Sequence, residues 1–199
     1  APADRMDRLT TFWQRVRQGP YVEAMASLPF VGQALGTWMA MTNGIPSFFS
    51  PNPSAYVGSN VFLGPEAAGF YTTTPLADTL RELVDFQRIN TGETRLTVGA
   101  AHVRSSAMHY FDSRDMPLDV RHVMASGALP PALPAQHVGN TRYWDGGLVS
   151  NTPLQHLVDH MGEANMLVFQ VDLFSARGPM PRDMDGVLTR QKDRSEEHM

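Results

Sequence analysis

The chain contains no cysteine, which excludes disulfides, thiolate metal sites and a cysteine nucleophile. Lysine is nearly absent too, since fifteen of the sixteen cationic side chains are arginine. The net charge of -4 gives no electrostatic reason to expect a nucleic-acid partner. Apolar stretches are interrupted by Gly, Pro or polar residues well before the roughly 20 residues that a membrane-spanning helix needs. These absences direct attention to chemistry carried by hydroxyls, carboxylates and imidazoles.

A serine elbow is also missing. No serine of the chain lies in a Gly-x-Ser-x-Gly sequence, the strand-to-helix turn that exposes a catalytic hydroxyl. Ser59 follows glycine directly, Ser126 lies in Met-Ala-Ser-Gly-Ala, and Ser150 falls in a helix-entry turn. The sequence pattern therefore offers no serine placed as a nucleophile.

What is present indicates a globular protein. A length of 199 residues suits one domain with a sizeable core, and 42% hydrophobic with 18% charged residues is typical of a folded chain. Apolar residues at spacings of three and four, with capping signals, predict four helices. They are Asp4 to Arg17, a helix with Thr74 as N-cap and Pro75 in its first turn, Val120 to Met124, and one capped by Thr152 and Pro153.

Strands are predicted between these helices. Arg95 to Val103 and Ala107 to Phe111 read as a hairpin, and two short strands around His137 and Arg142 to Trp144 flank the turn dipeptide Gly139-Asn140. The run from Met166 to Phe174 is nearly all apolar and predicts a buried central strand. Strands alternating with helices predict an α/β domain.

Residues 21–53 leave two interpretations open. Their apolar residues are punctuated by Gly, Pro and Ser, which predicts short helices joined by loops. The segment either packs onto the core, which is the favoured interpretation, or forms a flap over an apolar substrate, a role that methionine-rich surfaces suit.

One acidic residue stands at a position where chemistry is common. Asp145 ends a predicted strand and is followed by Gly146 and Gly147, which permit a sharp turn and a close approach by a partner. Functional side chains of α/β domains gather at strand ends. The plainer interpretation is an Asp-Gly turn that needs only the positive φ of glycine, and the dipeptide alone favours that turn.

A longer pattern favours a functional role for Asp145 over a simple turn. The segments Ala125-Ser-Gly-Ala-Leu-Pro-Pro131 and Tyr143-Trp-Asp-Gly-Gly-Leu-Val-Ser-Asn-Thr-Pro153 strongly resemble the C-terminal half of patatin-like phospholipases. These lipid acyl hydrolases have a three-layer α/β/α domain and a serine–aspartate dyad. The resemblance covers about residues 5 to 175 and implies that Asp145 is the dyad aspartate, with Gly146 and Gly147 completing its motif.

The departure from that family matters as much as the match. Its glycine-rich oxyanion loop and serine elbow are not found in this sequence. The resemblance therefore implies an incomplete sheet over 1–175, followed by a polar tail over 176–199. It also implies a nucleophile supplied by an N-terminal patatin segment or a second chain. The alternative is a non-catalytic binding or regulatory module that keeps the crevice without the chemistry.

The resemblance also sets expectations about ligands. A lipid or another acyl ester is the implied substrate, membrane contact is at most peripheral, and neither a metal nor a cofactor is required. His156 and His160, four apart on one helix, have a spacing that can bind a metal, although a solvated helix face is the commoner role. Arg104 and Arg121 could contact a lipid phosphate, but surface ion pairs are the favoured interpretation.

Overall fold

The computed structural model describes residues 4–17, 41–58, 60–92, 94–160, 166–171, 178–184, 186, 187 and 190. Within these residues the fold is mixed α/β, with short helices around antiparallel strands. The helices are α1 (Arg5–Val16), α2 (Thr74–Leu83), α3 (Phe86–Asn90), α4 (Val120–Ser126) and α5 (Leu154–Asp159), with 3-10 turns at Pro53–Tyr56 and Gly146–Leu148. The strands are β1 (Ser50–Pro51), β2 (Tyr71–Thr72), β3 (Thr97–His102), β4 (Met108–Asp112), β5 (Gln136–Val138) and β6 (Thr141–Asp145).

The main sheet has four antiparallel strands in the order β4-β3-β6-β5, and β1 pairs with β2 separately. Both predicted hairpins are confirmed. The second turns at Gly139, whose φ of +60 is a conformation that glycine adopts without strain. Strand β6 pairs on both sides, with β3 and with β5, so its end is held inside the sheet.

Helices cover both faces of this sheet. Successive side chains of β4 point to opposite faces. Phe111 meets His122 of α4 edge to face at 4.9 Å, whereas Tyr110 stacks on His156 of α5 at 3.6 Å between ring centroids. The α4 face holds the main core, whose buried members are Ala100, Phe111, Leu118, Ala125, Val138 and Tyr143.

The helix predicted from Asp4 to Arg17 is confirmed as α1, but its apolar stripe is not covered in the part of the chain described. Phe12 packs against a second core around Leu80, and Arg15 donates two hydrogen bonds to Glu82 of α2 at 2.6 and 2.7 Å. The other stripe residues, Met6, Leu9 and Trp13, are exposed. Arg8 also donates to the Leu83 carbonyl at 3.1 Å, so an apolar contact, a bidentate ion pair and a hydrogen bond attach α1 to α2.

Two helix starts differ from the sequence prediction by one residue each. Thr74 lies inside α2, whose N-cap is Thr73, and neither end carries a side-chain cap of the expected kind. Helix α5 begins after Pro153, so Thr152 does not cap it. Helix α4 shows the opposite case, because Asp119 accepts from the Arg121 N–H and shares a capping box with His122.

The prediction of a buried central strand from Met166 to Phe174 is wrong for its described part. Residues 166–171 have no regular secondary structure, and Leu167 and Phe169 are 78% and 83% exposed. Apolar composition favours strand, but a strand also needs a neighbour to satisfy its backbone groups. No described strand pairs with this run, so its composition alone does not bury it.

Several predictions fall partly outside the described residues. The segment 21–53 is described only from residue 41, so its roles as core or flap stay open, and residues 172–174 and most of 176–199 are likewise outside. The division into 1–175 and 176–199 stays a prediction. Among the described helices, none has the length and apolar character needed to cross a bilayer.

Candidate active site

Asp145 lies at the end of β6, as the sequence predicted. Its backbone is opposite Ala100 of β3, and its N–H donates to the Ala128 carbonyl at 3.0 Å, in the loop that follows α4. The residue is therefore held from three sides: by β6 itself, by β3 and by the 128–131 loop. Such fixation is what a carboxylate needs if it is to act in one direction.

The carboxylate has one fixed and one free oxygen. Oδ1 accepts a hydrogen bond from the Gly147 N–H at 2.7 Å. Within the described residues, Oδ2 makes no hydrogen bond or ion pair. Burial raises the pKa of Asp145, and the Gly147 N–H offsets this in part by stabilising the charged form. The group is thus a half-buried acceptor with its second oxygen available.

The two glycines of the motif are explained by the lack of room for a side chain, and not by their backbone conformation. Neither is among the residues with positive φ, so the simple Asp-Gly turn considered above does not explain them. A Cβ at position 146 would collide with the Gly99 carbonyl oxygen of β3. At position 147 it would lie 3.1 Å from Asp145 Oδ1. Gly146 lets the chain pass over β3, and Gly147 brings its N–H to the carboxylate.

The Asp145 carboxylate can accept a proton, but among the described residues no hydroxyl is placed to donate one to it. A carboxylate acts as general base towards a hydroxyl within about 2.6–3.2 Å. No described serine hydrogen-bonds to Asp145; the hydroxyl of Ser126, the last residue of α4, instead donates to the Val123 carbonyl at 2.9 Å. Within the described part of the chain, no hydroxyl lies within hydrogen-bond distance of the Asp145 carboxylate.

A cleft of about 570 Å³ lies on the opposite face of the sheet from α4. It runs between β3 and α5, and Asp145 is not among its lining residues. The lining comprises Arg95, Leu96, Thr97, Gly99, Tyr110, Arg114, Pro153, His156, Leu157, His160 and Met166. Gly99 is common to both places, because it lines the cleft and its carbonyl lies under Gly146.

Beside this cleft is a polar network that sequence reasoning missed. Asp112 is buried, and it accepts from Arg95 Nε and from the Thr97 hydroxyl at 2.6 Å each, and from the Arg114 N–H at 2.8 Å. Burial by itself would raise the pKa of Asp112, but these three donors and the Arg95 charge lower it to about 2. The β3–β4 hairpin brings this network together, because its register pairs Thr97 with Asp112.

The two spaced histidines do not form a metal site with other described side chains. His156 stacks on Tyr110, and the rings of His156 and His160 lie 4.2 Å apart. No group of three or more potential ligands occurs among the residues described. Burial lowers the pKa of His156, with further lowering by His160 and by the charge of Arg95.

The remaining candidates lie on the surface or the rim. Arg121 forms the expected ion pair with Asp119, and Arg104 is exposed in the β3–β4 turn. The hairpin strands β3 and β4 also carry His102 and His109, which are not opposite each other, and both rings lie near Tyr143, at 5.9 and 5.5 Å between centroids. These residues therefore add no chemistry to Asp145.

The sheet has helices on both faces and a carboxylate at the end of an internal strand. This architecture places the protein in the α/β class. The model of the family described as patatin-like phospholipase matches residues 4–158. The chain therefore belongs to the patatin-like phospholipase family, and its open sheet fits an incomplete patatin fold. No curated protein and no solved structure matches the chain.

Proposed function

We propose that the chain supplies the aspartate of a serine–aspartate dyad in a patatin-type lipid acyl hydrolase, with Asp145 as general base. The observation that carries this proposal is the state of its carboxylate. Oδ1 is fixed by the Gly147 N–H, Oδ2 is unengaged within the described residues, and burial raises the pKa. A base with a raised pKa holds a proton more readily after taking it from an alcohol.

In the proposed reaction, a serine hydroxyl from sequence outside the described residues attacks the acyl carbonyl while Asp145 accepts its proton. The acyl-enzyme forms as the alcohol part of the ester leaves, and water then releases the carboxylic acid. Backbone N–H groups would stabilise the oxyanion, so the scheme needs no metal or cofactor. An N-terminal patatin segment or a second chain is the proposed source of the serine, and a lipid or another acyl ester the proposed substrate.

The first test asks where the nucleophile lies. A fluorophosphonate probe should leave the isolated 199-residue chain unlabelled, because no described serine is activated by Asp145. Intact-mass analysis of native material should reveal a companion segment with a Gly-x-Ser-x-Gly elbow, and the probe should label that segment. Labelling of the isolated chain would refute the proposal that its nucleophile lies elsewhere.

The second test asks what Asp145 does in the assembled protein. Asp145→Asn should lower kcat for a chromogenic acyl ester by about 10²–10⁴-fold, the usual contribution of a positioned general base. Asp115→Asn, which changes an exposed carboxylate of the loop after β4, is the matched control and should retain activity. If Asp145→Asn retained full activity, or if no companion were found and the chain behaved as a closed monomer, the non-catalytic module would be the better interpretation.

A further inference from the structure

The cleft between β3 and α5 has the composition of an anion site with an apolar extension. Arg95 and Arg114 are among its lining residues, and Leu96, Leu157 and Met166 contribute apolar surface. It lies across the sheet from the face that Asp145 shares with Ala100 and α4, so it is not the place where Asp145 acts. None of the chemistry proposed above uses it.

The two arginines are held in different ways. Arg95 is anchored through Nε to Asp112 Oδ2 at 2.6 Å, which leaves its two terminal nitrogens outside that bond. Only the backbone N–H of Arg114 binds Asp112, and the Arg114 side chain has no ion pair among the described residues. Asp112 is thus balanced by Arg95, and the charge of Arg114 is left over at the cleft.

An arginine that is fixed by a buried carboxylate is oriented before a ligand arrives. The planar guanidinium presents parallel N–H donors that match phosphate oxygens, and charge-assisted bonds of this kind are stronger than neutral ones. Asp112 accepts three hydrogen bonds already, from Arg95, Thr97 and Arg114, so it does not oppose an anion as a bare charge would. The stacked rings of Tyr110 and His156 form a rigid wall beside the arginines.

We propose that this cleft binds a phosphate group carried on an alkyl chain, with Arg114 and Arg95 on the phosphate and the surface of Leu96, Leu157 and Met166 on the chain. Charge complementarity selects the anion, and the apolar lining selects an amphiphile over free phosphate. The site is separate from the dyad, so it can exist whether or not Asp145 acts as a base.

The test is direct binding to the 199-residue chain by calorimetry, with n-octyl phosphate below its micellar concentration as probe. Inorganic phosphate and octyl glucoside are the comparison ligands, since each carries half of the proposed chemistry. Octyl phosphate should bind more tightly than either. If inorganic phosphate bound as tightly as octyl phosphate, the proposed preference for an amphiphile would be wrong. If octyl glucoside bound as tightly as octyl phosphate, the proposed anion site would be wrong.

Arg114→Gln tests the charge without touching the buried network, because the side chain is exposed and only its backbone contacts Asp112. It should weaken octyl phosphate binding about tenfold, the smaller end of what a charge-assisted hydrogen bond contributes. Arg104→Gln removes an exposed arginine from the β3–β4 turn and should bind like the parent chain. Equal losses in both variants, or no loss in Arg114→Gln, would refute the site.

The location is read independently by NMR. Signals of His156, which lines the cleft, should move on titration with octyl phosphate, whereas those of His137 on β5 should stay in place. Unchanged His156 signals despite measurable binding would place the ligand elsewhere and overturn the proposal. Because these measurements need no nucleophile, their failure would leave the proposed dyad untouched, and the failure of the dyad would leave this site standing.

Discussion

The surroundings of two aspartates in this chain shift their pKa values in opposite directions. Asp112 is ringed by donors that outweigh its burial and bring its pKa to about 2. Asp145 has one N–H donor, and burial raises its pKa. Sequence alone identified Asp145, because its glycine motif is local, but it could not identify Asp112, whose partners come from both strands of a hairpin. The first carboxylate stabilises the fold, and the second is available for chemistry.

Asp112 should make the protein sensitive to acid. Its pKa in the folded chain is lower than the ~3.9 of an unfolded aspartate. Between these two pKa values the folded state therefore binds fewer protons than the unfolded state. Its stabilising contribution is therefore present above about pH 4 and is lost as the pH falls towards 2. Urea denaturation as a function of pH should show this loss in the parent.

Asp112→Asn should abolish that part of the pH dependence and lower the free energy of unfolding at pH 7 by about 2 kcal/mol, because Arg95 would lose its charged partner. Asp115→Asn is the control and should change neither quantity. A parent and an Asp112→Asn variant with identical pH profiles would show that the network does not stabilise the fold.

Asp145 should have the opposite effect on stability. Its raised pKa means that ionisation is less favourable in the folded chain, so stability falls as the pH rises from the unfolded pKa through the folded one. Asp145→Asn removes this penalty while its amide oxygen can still accept from Gly147. The variant should therefore be more stable than the parent at pH 7, with the difference vanishing below about pH 4. Thermal melts of both chains at the two pH values measure it; a less stable variant at pH 7 would contradict the prediction.

At the scale of elements, the hairpins were predictable and their register was not. A turn centred on Ser105 would pair Val98 with Asp112, but the structure pairs Thr97 with Asp112. The His102 N–H donates to the Ala107 carbonyl at 2.9 Å, and Ser106 in the turn between them adopts a positive φ of 56. The turn therefore closes between His102 and Ala107, which moves the register by one. A slip of one residue exchanges the two faces of a strand. For this reason the polar network on the α5 face could not be derived from the sequence.

The glycine motif gives the sharpest test at this scale. Gly146→Ala places a methyl group against the Gly99 carbonyl of β3, which is backbone and cannot turn aside. We expect it to lower the free energy of unfolding by about 1–3 kcal/mol, the usual cost of overpacking. Gly147→Ala meets only the side chains of Asp145 and Asn151, at 3.1 and 3.3 Å, and should cost less.

Gly127→Ala is the control for loss of glycine itself, because nothing lies within 4 Å of its added methyl group and its φ is not positive. Urea denaturation of the three variants should rank them with Gly146→Ala as the least stable. Equal stability of Gly146→Ala and Gly127→Ala would contradict the close passage of the motif over β3.

At the scale of the whole molecule, much apolar surface is uncovered. Met6, Leu9 and Trp13 of α1 are exposed, and so is the run 166–171. Contiguous exposed apolar patches mark interaction sites or association liabilities. The helix pattern predicts the positions of Met6, Leu9 and Trp13, whereas the run 166–171 is predicted as part of a buried strand. Neither pattern predicts what covers these residues, because burial depends on partners distant in the chain. A segment that completes the sheet stays a prediction.

The run 166–171 should make the isolated chain self-associate. Its apolar side chains are adjacent, and Leu167 and Phe169 are among the most exposed. Replacing both with serine should lower the weight-average mass in sedimentation velocity at high concentration without lowering the melting temperature. Met180→Ser changes an equally exposed methionine outside the run and should leave the mass unchanged. A parent chain that stays monomeric at every concentration would contradict this expectation.

Gly99 belongs both to the lining of the cleft and to the backbone that contacts Gly146. Gly99 lines the arginine-lined cleft, its carbonyl oxygen lies against Gly146, and the Met108 side chain approaches both glycines. A ligand that displaced β3 at this point would displace the carbonyl against which the turn after Asp145 packs. The cleft and the glycine motif therefore share one stretch of β3 backbone.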